Sequence, residues 1–288
     1  MLNPVQKHDR LNRWVMDLSV IHFLIFVLWG NLIGFLAGLF GIGGGGFIVP
    51  LLIFSYSHMG VSPSVLTHIA IATSLVVVLF ASLTSAYQHG KQQNTHWRAS
   101  LIIGFFSALT AVATVRLAVN LSGRHLRIVF ALVTIALALR IFTERSGEDE
   151  RKVKPSSPVN PFHLAWIGSL AGVVSALAGV GGGGITITMM YFVLKMPLKL
   201  AIGTSSAAMV ITACFAAAGY VFNGIGHRDL PDWCFGFIDL HRGIALVLGS
   251  LMTARIGAYV SFRTQPYLLR KLFALFLTVI SIYIIFIR

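Results

Sequence analysis

Gly43, Gly44, Gly45 and Gly46 form a run of four glycines, and Gly181, Gly182, Gly183 and Gly184 form another. Each run closes a longer string, Gly-Ile-Gly-Gly-Gly-Gly from Gly41 and Gly-Val-Gly-Gly-Gly-Gly from Gly179. Both strings end a long apolar stretch and precede a short one. Without a Cβ, a glycine backbone can adopt left-handed angles and approach a ligand closely. A helix that restarts after such a string points free amide groups and the positive end of its dipole at the break. Two such ends, one from each half of the chain, would hold an anion. A tight turn that aids packing is the plainer use of glycine, but four in succession exceed what packing asks.

Hydroxyl groups follow each string. Thr73 and Ser74, in Ile71-Ala72-Thr73-Ser74, match Thr204 and Ser205, in Ile202-Gly203-Thr204-Ser205, 131 residues later. Their hydroxyls could donate to an anion's oxygens or bond back to their own helices. Thr186 follows the second glycine string where Ile48 follows the first, so a shared site would be asymmetric. Arg255 lies inside an apolar run. A charge there is a candidate for function, with snorkelling toward the headgroups as the rival account. His22 and His68 read as hydrogen-bonded structural histidines. The candidate binding set is therefore Gly43 to Gly46, Thr73, Ser74, Gly181 to Gly184, Thr186, Thr204, Ser205 and Arg255.

The elements that must position these residues are membrane spans. The chain has 288 residues, 56% hydrophobic and only 11% charged, against roughly 25% charged in a soluble domain. Long apolar runs fall at about 19–40, 64–87, 99–118, 126–142, 161–178, 200–222, 243–261 and 267–287. Each approaches or exceeds the roughly 17–25 residues that cross a bilayer. The short segments 47–56 and 185–194 cannot cross alone. The expected fold is all-α and polytopic, with about eight transmembrane helices in two homologous halves. Residues 1–142 form the first half, 143–160 a polar linker, and 161–288 the second half, each half carrying one glycine-broken short segment.

The duplication rests on several landmarks. Gly30, Gly34 and Gly38 recur as Gly168, Gly172 and Ala176, 138 residues later. Small residues at every fourth position let two helices come close. The Thr-Ser pairs follow in the same order, and Leu126-Arg-Ile-Val-Phe-Ala131 resembles Leu269-Arg-Lys-Leu-Phe-Ala274.

The net charge of +13 reads as membrane orientation, since the basic residues sit mostly in loops and at ends. No basic run is interleaved with aromatics, so no nucleic-acid partner is expected. If the short segments enter and leave on one side, the 88–98 and 223–242 loops, the linker and both termini share a side. The excess of Lys and Arg there places both termini in the cytoplasm. Short segments that crossed would instead give five spans per half, invert the halves and reverse the bias, so eight crossings are preferred. The two cysteines, Cys214 and Cys234, have no metal or disulfide spacing, and no cofactor is implied. None of the nine acids falls inside a span, which leaves a cation without a counter-charge and a proton relay without a buried carboxylate. Export of an anion, driven by voltage and concentration, fits these absences.

The string Gly34-Phe-Leu-Ala-Gly38-Leu-Phe-Gly41-Ile-Gly43-Gly-Gly-Gly46, followed by Ala72-Thr73-Ser74, resembles the TauE/SafE sulfite exporter family, also called the toluene-sulfonate uptake permeases. Gly172 to Gly184, followed by Gly203-Thr204-Ser205, is similar to that family's second half. The resemblance covers the chain from about residue 20 to its end. It implies a multi-pass protein of the bacterial or archaeal cell (inner) membrane, with two related halves. Its substrates would be sulfite, sulfoacetate or related organosulfonates, and the matching positions here are the glycine strings and the Thr-Ser pairs.

Rival functions differ in what they need. A nucleotide-binding enzyme would need a β-α-β context and a Lys after the glycines, and neither is present, so the chain reads as a non-enzyme. An anion channel, a carrier of another small organic anion, and a non-transporting assembly factor stay open, as does homo-oligomerisation.

Overall fold

The structure, a computed structural model, describes residues 4–40, 43–143 and 160–263, together with Leu275 and Thr278. The expected span at 267–287 apart from Leu275 and Thr278, nearly all of the 143–160 linker, and Gly41 with Ile42 lie outside the described residues. The helices in chain order are α1 (Pro4–Phe40), α2 (Gly45–His58), α3 (Leu66–Lys91), α4 (Trp97–Ala118), α5 (Gly123–Thr143), α6 (Pro161–Ala178), α7 (Gly183–Phe192), α8 (Leu198–Gly224) and α9 (Leu240–Arg263). Six of them, or segments of them, are long and apolar enough to cross a membrane: Val20–Leu39, Leu66–Lys91, Trp97–Ala118, Pro161–Ala178, Lys199–Gly224 and Leu240–Val260. The chain is therefore a multi-pass membrane protein.

Helix boundaries follow local chemistry. The Asn160 side chain accepts from the Phe162 N–H and Pro161 opens α6, a favoured start in which proline's missing N–H costs nothing. Gly179 stops the helix with φ 67°, angles that a residue with a Cβ adopts at a cost. One departure from an all-helical chain is a small ribbon between α8 and α9. Strand β1 (Cys234–Phe235) pairs antiparallel with β2 (Ile238–Asp239).

Contacts fix the directions of the helices. α3 and α8 run antiparallel through the centre. Ser85 meets Ser206 toward one end, and Phe237, which lies against Tyr220 and Gly224 at the end of α8, packs on His68 at the start of α3. Consequently the loop after α3 and the loop after α8 lie at opposite ends of the bundle. The backbone N–H of His96 is held by Thr204 near the start of α8, whereas that of Asp239 is held by Thr73 near the start of α3. The sequence placed the 88–98 and 223–242 loops on one side. The structure separates them, so the charge count that put both termini in the cytoplasm loses its basis.

The reason lies in the two short helices. Phe23 and Phe26 of α1 sit beside His241 and Arg242 of α9, and Tyr56 near the end of α2 bonds Asp239. α1 and α2 thus form a hairpin with both feet at the ribbon end. Leu164 of α6 shares a cluster with Met190 of α7, Ala99 and Ala201, so the α6–α7 hairpin stands on the opposite end. Two hairpins enter from opposite ends.

Glycines set the main helix crossings. A Cβ on Gly30 would lie 2.5 Å from the Leu246 carbonyl oxygen, and one on Gly34 or Gly38 would strike the backbone of Ser250 or Ala254. A Cβ on Gly168 would lie 2.5 Å from the Ile103 carbonyl oxygen, and one on Gly172 would strike that of Ser107. α1 therefore runs parallel to α9, and α6 parallel to α4, with backbones in contact. Such packing provides van der Waals gain in lipid, where no hydrophobic effect drives helices together. Gly34→Leu is expected to cost about 1–3 kcal/mol or more through overpacking, read as a lowered melting temperature in detergent. Leu28→Ala, on the exposed face of α1, should melt like the wild type. Equal melting of both variants would refute this account of the crossing.

Candidate functional site

The two hairpin tips meet. Gly43 and Gly44 have φ 77° and 75°, and Gly181 and Gly182 have φ 76° and 72°. Each pair turns the chain so that a helix restarts at once, at Gly45 and at Gly183. A Cβ on Gly43 would lie 2.9 Å from Val78 Cγ1 and 3.2 Å from Met209 Sδ, and one on Gly181 would meet the same two side chains at 2.5 and 3.4 Å. Val78 and Met209 are near the middles of α3 and α8, so both turns rest at the centre of the bundle. A Cβ on Gly45 would strike the Gly179 carbonyl and lie 2.6 Å from Val180 Cα, which puts the start of α2 directly on the second glycine string.

Gly45 and Gly46 at the start of α2, and Gly183 and Gly184 at the start of α7, are all buried. By position their amides have no carbonyl within the helix to bond. The first intrahelical bonds run from Phe47 and Ile48 to the Gly44 carbonyl and from Thr186 to the Gly182 carbonyl. Two positive helix ends thus converge among apolar side chains, where their charge is poorly screened.

The hydroxyls hold this arrangement. Ser74 Oγ donates to the Gly179 carbonyl at 2.8 Å, and Ser205 Oγ to the Gly183 carbonyl at 3.2 Å. Each central helix therefore fastens the second glycine string. Thr73 and Thr204 accept the N–H groups of Asp239 and His96 at 2.9 and 3.0 Å. Those two residues are the first caps of α9 and α4, so a hydroxyl on each central helix anchors the start of another helix. Thr186 Oγ1 bonds back to the Gly182 carbonyl at 3.0 Å. The glycines, Ser74, Ser205 and Thr186 are thus brought together, while Thr73 and Thr204 serve helix starts. Arg255 is exposed on α9, on the outer surface rather than among the buried glycines. His68 is hydrogen bonded through Nε2 to the Ala118 carbonyl at 3.2 Å.

One cluster goes beyond what the sequence predicts. Asp239, one of the nine acids counted there as outside the spans, is wholly buried. Its Oδ2 accepts from Tyr56 Oη at 2.9 Å and Arg242 Nη1 at 2.7 Å, and its Oδ1 accepts from the Arg242 N–H at 3.0 Å. The expectation that no carboxylate is buried is corrected here. The signal was available: an Asp just before an apolar run is a helix N-cap pattern.

Cys234, in the ribbon outside the spans, has its thiol pushed up to about 12 by burial and, secondarily, by the Asp239 charge. The thiolate is the nucleophile, so its reactive fraction is very small at neutral pH and rises about tenfold per pH unit up to the raised value. Alkylation of Cys234 in a Cys214→Ala background should therefore be slow at pH 7 and still accelerating at pH 10. A plateau near pH 9 would contradict this burial.

The family model described as sulfite exporter TauE/SafE matches residues 26–284. A probable membrane transporter protein of Haemophilus influenzae is 30% identical over 259 residues, covering 90% of this chain and 96% of its own length. One of Methanocaldococcus jannaschii is 26% identical over 91% of this chain and 94% of its own. The sulfite exporter TauE/SafE family protein 2 of Arabidopsis thaliana is 32% identical over 129 residues, 43% of this chain and 26% of its own. No solved structure matches.

Proposed function

The chain belongs to the sulfite exporter TauE/SafE family of membrane transporters, and from that premise we propose that it exports a small sulfur-containing oxyanion across the cell membrane. Sulfite, sulfoacetate and related organosulfonates are the substrate class. The anion binds between the two hairpin tips, held by the amides of Gly45, Gly46, Gly183 and Gly184, with the glycine turns at Gly43, Gly44, Gly181 and Gly182 giving it room. Ser74, Ser205 and Thr186 hold the tips by their carbonyls. The single observation that carries this reading is the start of α2 lying against the second glycine string. Two positive helix ends brought that close are best satisfied by negative charge.

Transport then needs the two hairpins to open in turn toward opposite ends. Support for two halves, 1–142 and 161–288, comes from paired contacts: α1 on α9 matches α6 on α4, and Thr73 at Asp239 matches Thr204 at His96. Hairpins entering from opposite ends are the arrangement of an inverted repeat. An inside-negative potential of 100 mV contributes about 2.3 kcal/mol per exported negative charge, so voltage suffices as a drive.

The test is flux from proteoliposomes loaded with sulfite, sulfoacetate or sulfate under an imposed potential. The expected result is saturable efflux of one or more sulfur oxyanions that increases with inside-negative voltage. Flux that depends strictly on a proton gradient at clamped voltage, or flux of amines instead, would defeat the proposal.

A further inference from the structure

Among the described residues, Arg242, in the first turn of α9, meets protein oxygen on only one side of its guanidinium. Nη1 donates to Asp239 Oδ2 at 2.7 Å. The opposite edge, made of Nε and Nη2, is the fork that grips two oxygens of an oxyanion side-on. Here Nη2 meets Met59 Sδ at 2.7 Å, and a thioether is a weak acceptor. Among the described residues no acceptor faces Nε, which is buried. A buried donor left unmade costs stability, so its persistence calls for an explanation. An arginine serving only to pair with its helix cap would need the Asp239 side alone.

The surroundings suit a ligand. The guanidinium carbon lies 5.1 Å from the Trp233 ring centre and 5.5 Å from those of Tyr56 and Phe26. These rings fix the plane of the fork and limit its hydration. The arginine side chain is 12% exposed, while Met59, which covers the fork, is 48% exposed. Methionine is unbranched and turns about three bonds, so it can swing off the fork into open space. Asp239 already balances the arginine's charge, so a bound anion is held by the fork's hydrogen bonds and released readily.

We propose that the Nε–Nη2 fork of Arg242, between Met59 and Trp233, is a second anion station at the ribbon end of the bundle, taking a compact sulfonate, sulfite or carboxylate. It rests on the transport reading only in being placed on the solute's path. Binding at the fork stands or falls by itself.

The experiment titrates the purified full-length protein with sodium methanesulfonate and sodium sulfite at constant ionic strength, with chloride as the control. Tryptophan fluorescence is the signal, and Trp233→Phe identifies the part that belongs to the station. Met59→Glu lays a carboxylate on the fork. The Trp233 response should disappear in that variant while melting is unchanged or raised. Met59→Ala uncovers the fork and should tighten binding several-fold. A Met59→Glu protein that titrates like the wild type overturns the proposal, as does a wild type with no saturable Trp233 response to either anion. Flux measured on the same preparations separates the two ideas. Flux without the response removes the station and leaves transport standing, whereas the response without flux keeps the station and removes transport.

Discussion

Replacing Gly45 with leucine is expected to reduce anion flux to background. The new Cβ would strike the Gly179 carbonyl and lie 2.6 Å from Val180 Cα, so the hairpin tips must separate. A shift of about 1 Å in groups that position a ligand can cost on the order of 100-fold. Gly182→Leu should match it from the other hairpin. Gly182 has φ 72°, and a Cβ there would lie 2.6 Å from the Ala171 carbonyl oxygen. Left-handed angles cost an L-residue roughly 1–2 kcal/mol before any collision. Gly60→Ala is the control, because Gly60 also has a positive φ, 70°, yet has nothing within 4 Å of its Cβ position. It should fold and transport normally. Wild-type flux in both leucine variants would remove the tip-to-tip site, and lost flux in Gly60→Ala would show that backbone strain alone explains the loss in Gly182→Leu.

Asp239→Ala is expected to be the most destabilising single change outside the glycines. It strips Arg242 of its charge partner, Tyr56 Oη of its acceptor and α9 of its N-cap in one step. Removing one partner of a buried ion pair costs about 3–5 kcal/mol, and losing an N-cap about 1 kcal/mol. The contributions share partners and will not simply add. Asp239→Asn keeps one oxygen for the cap but sets an NH2 where Tyr56 Oη and Arg242 Nη1 now donate, so it should fall between alanine and wild type. The readout is thermal or denaturant unfolding in detergent. An alanine variant that unfolds at the wild-type midpoint would show that this cluster does not fasten the α2 end to α9.

Much of this was legible in the sequence, for physical reasons. Glycine strings and four-residue small-residue spacing constrain the backbone itself, so they carry through to the fold with little dependence on neighbours. Gly30, Gly34, Gly168 and Gly172 are at helix crossings as their spacing implies. The Thr-Ser pairs were harder. A hydroxyl's role depends on which partner the fold delivers, and Thr73 and Thr204 received helix starts from elsewhere in the chain. Which loops share an end was illegible because apolar runs do not record whether a short helix folds back along its predecessor. That choice reverses every later direction. Asp239 hid for a related reason: two of its buried partners, Tyr56 and Thr73, lie 183 and 166 residues away.

Selenite, the heavier analogue of sulfite, offers the most direct measurement. Anomalous scattering from crystals of the protein grown with selenite would locate the selenium. The peak is predicted between the hairpin tips, within hydrogen-bonding reach of the amides at Gly45, Gly46, Gly183 and Gly184. A protein that carries selenite in liposomes yet shows its selenium elsewhere, with the tips still in contact, would contradict the account.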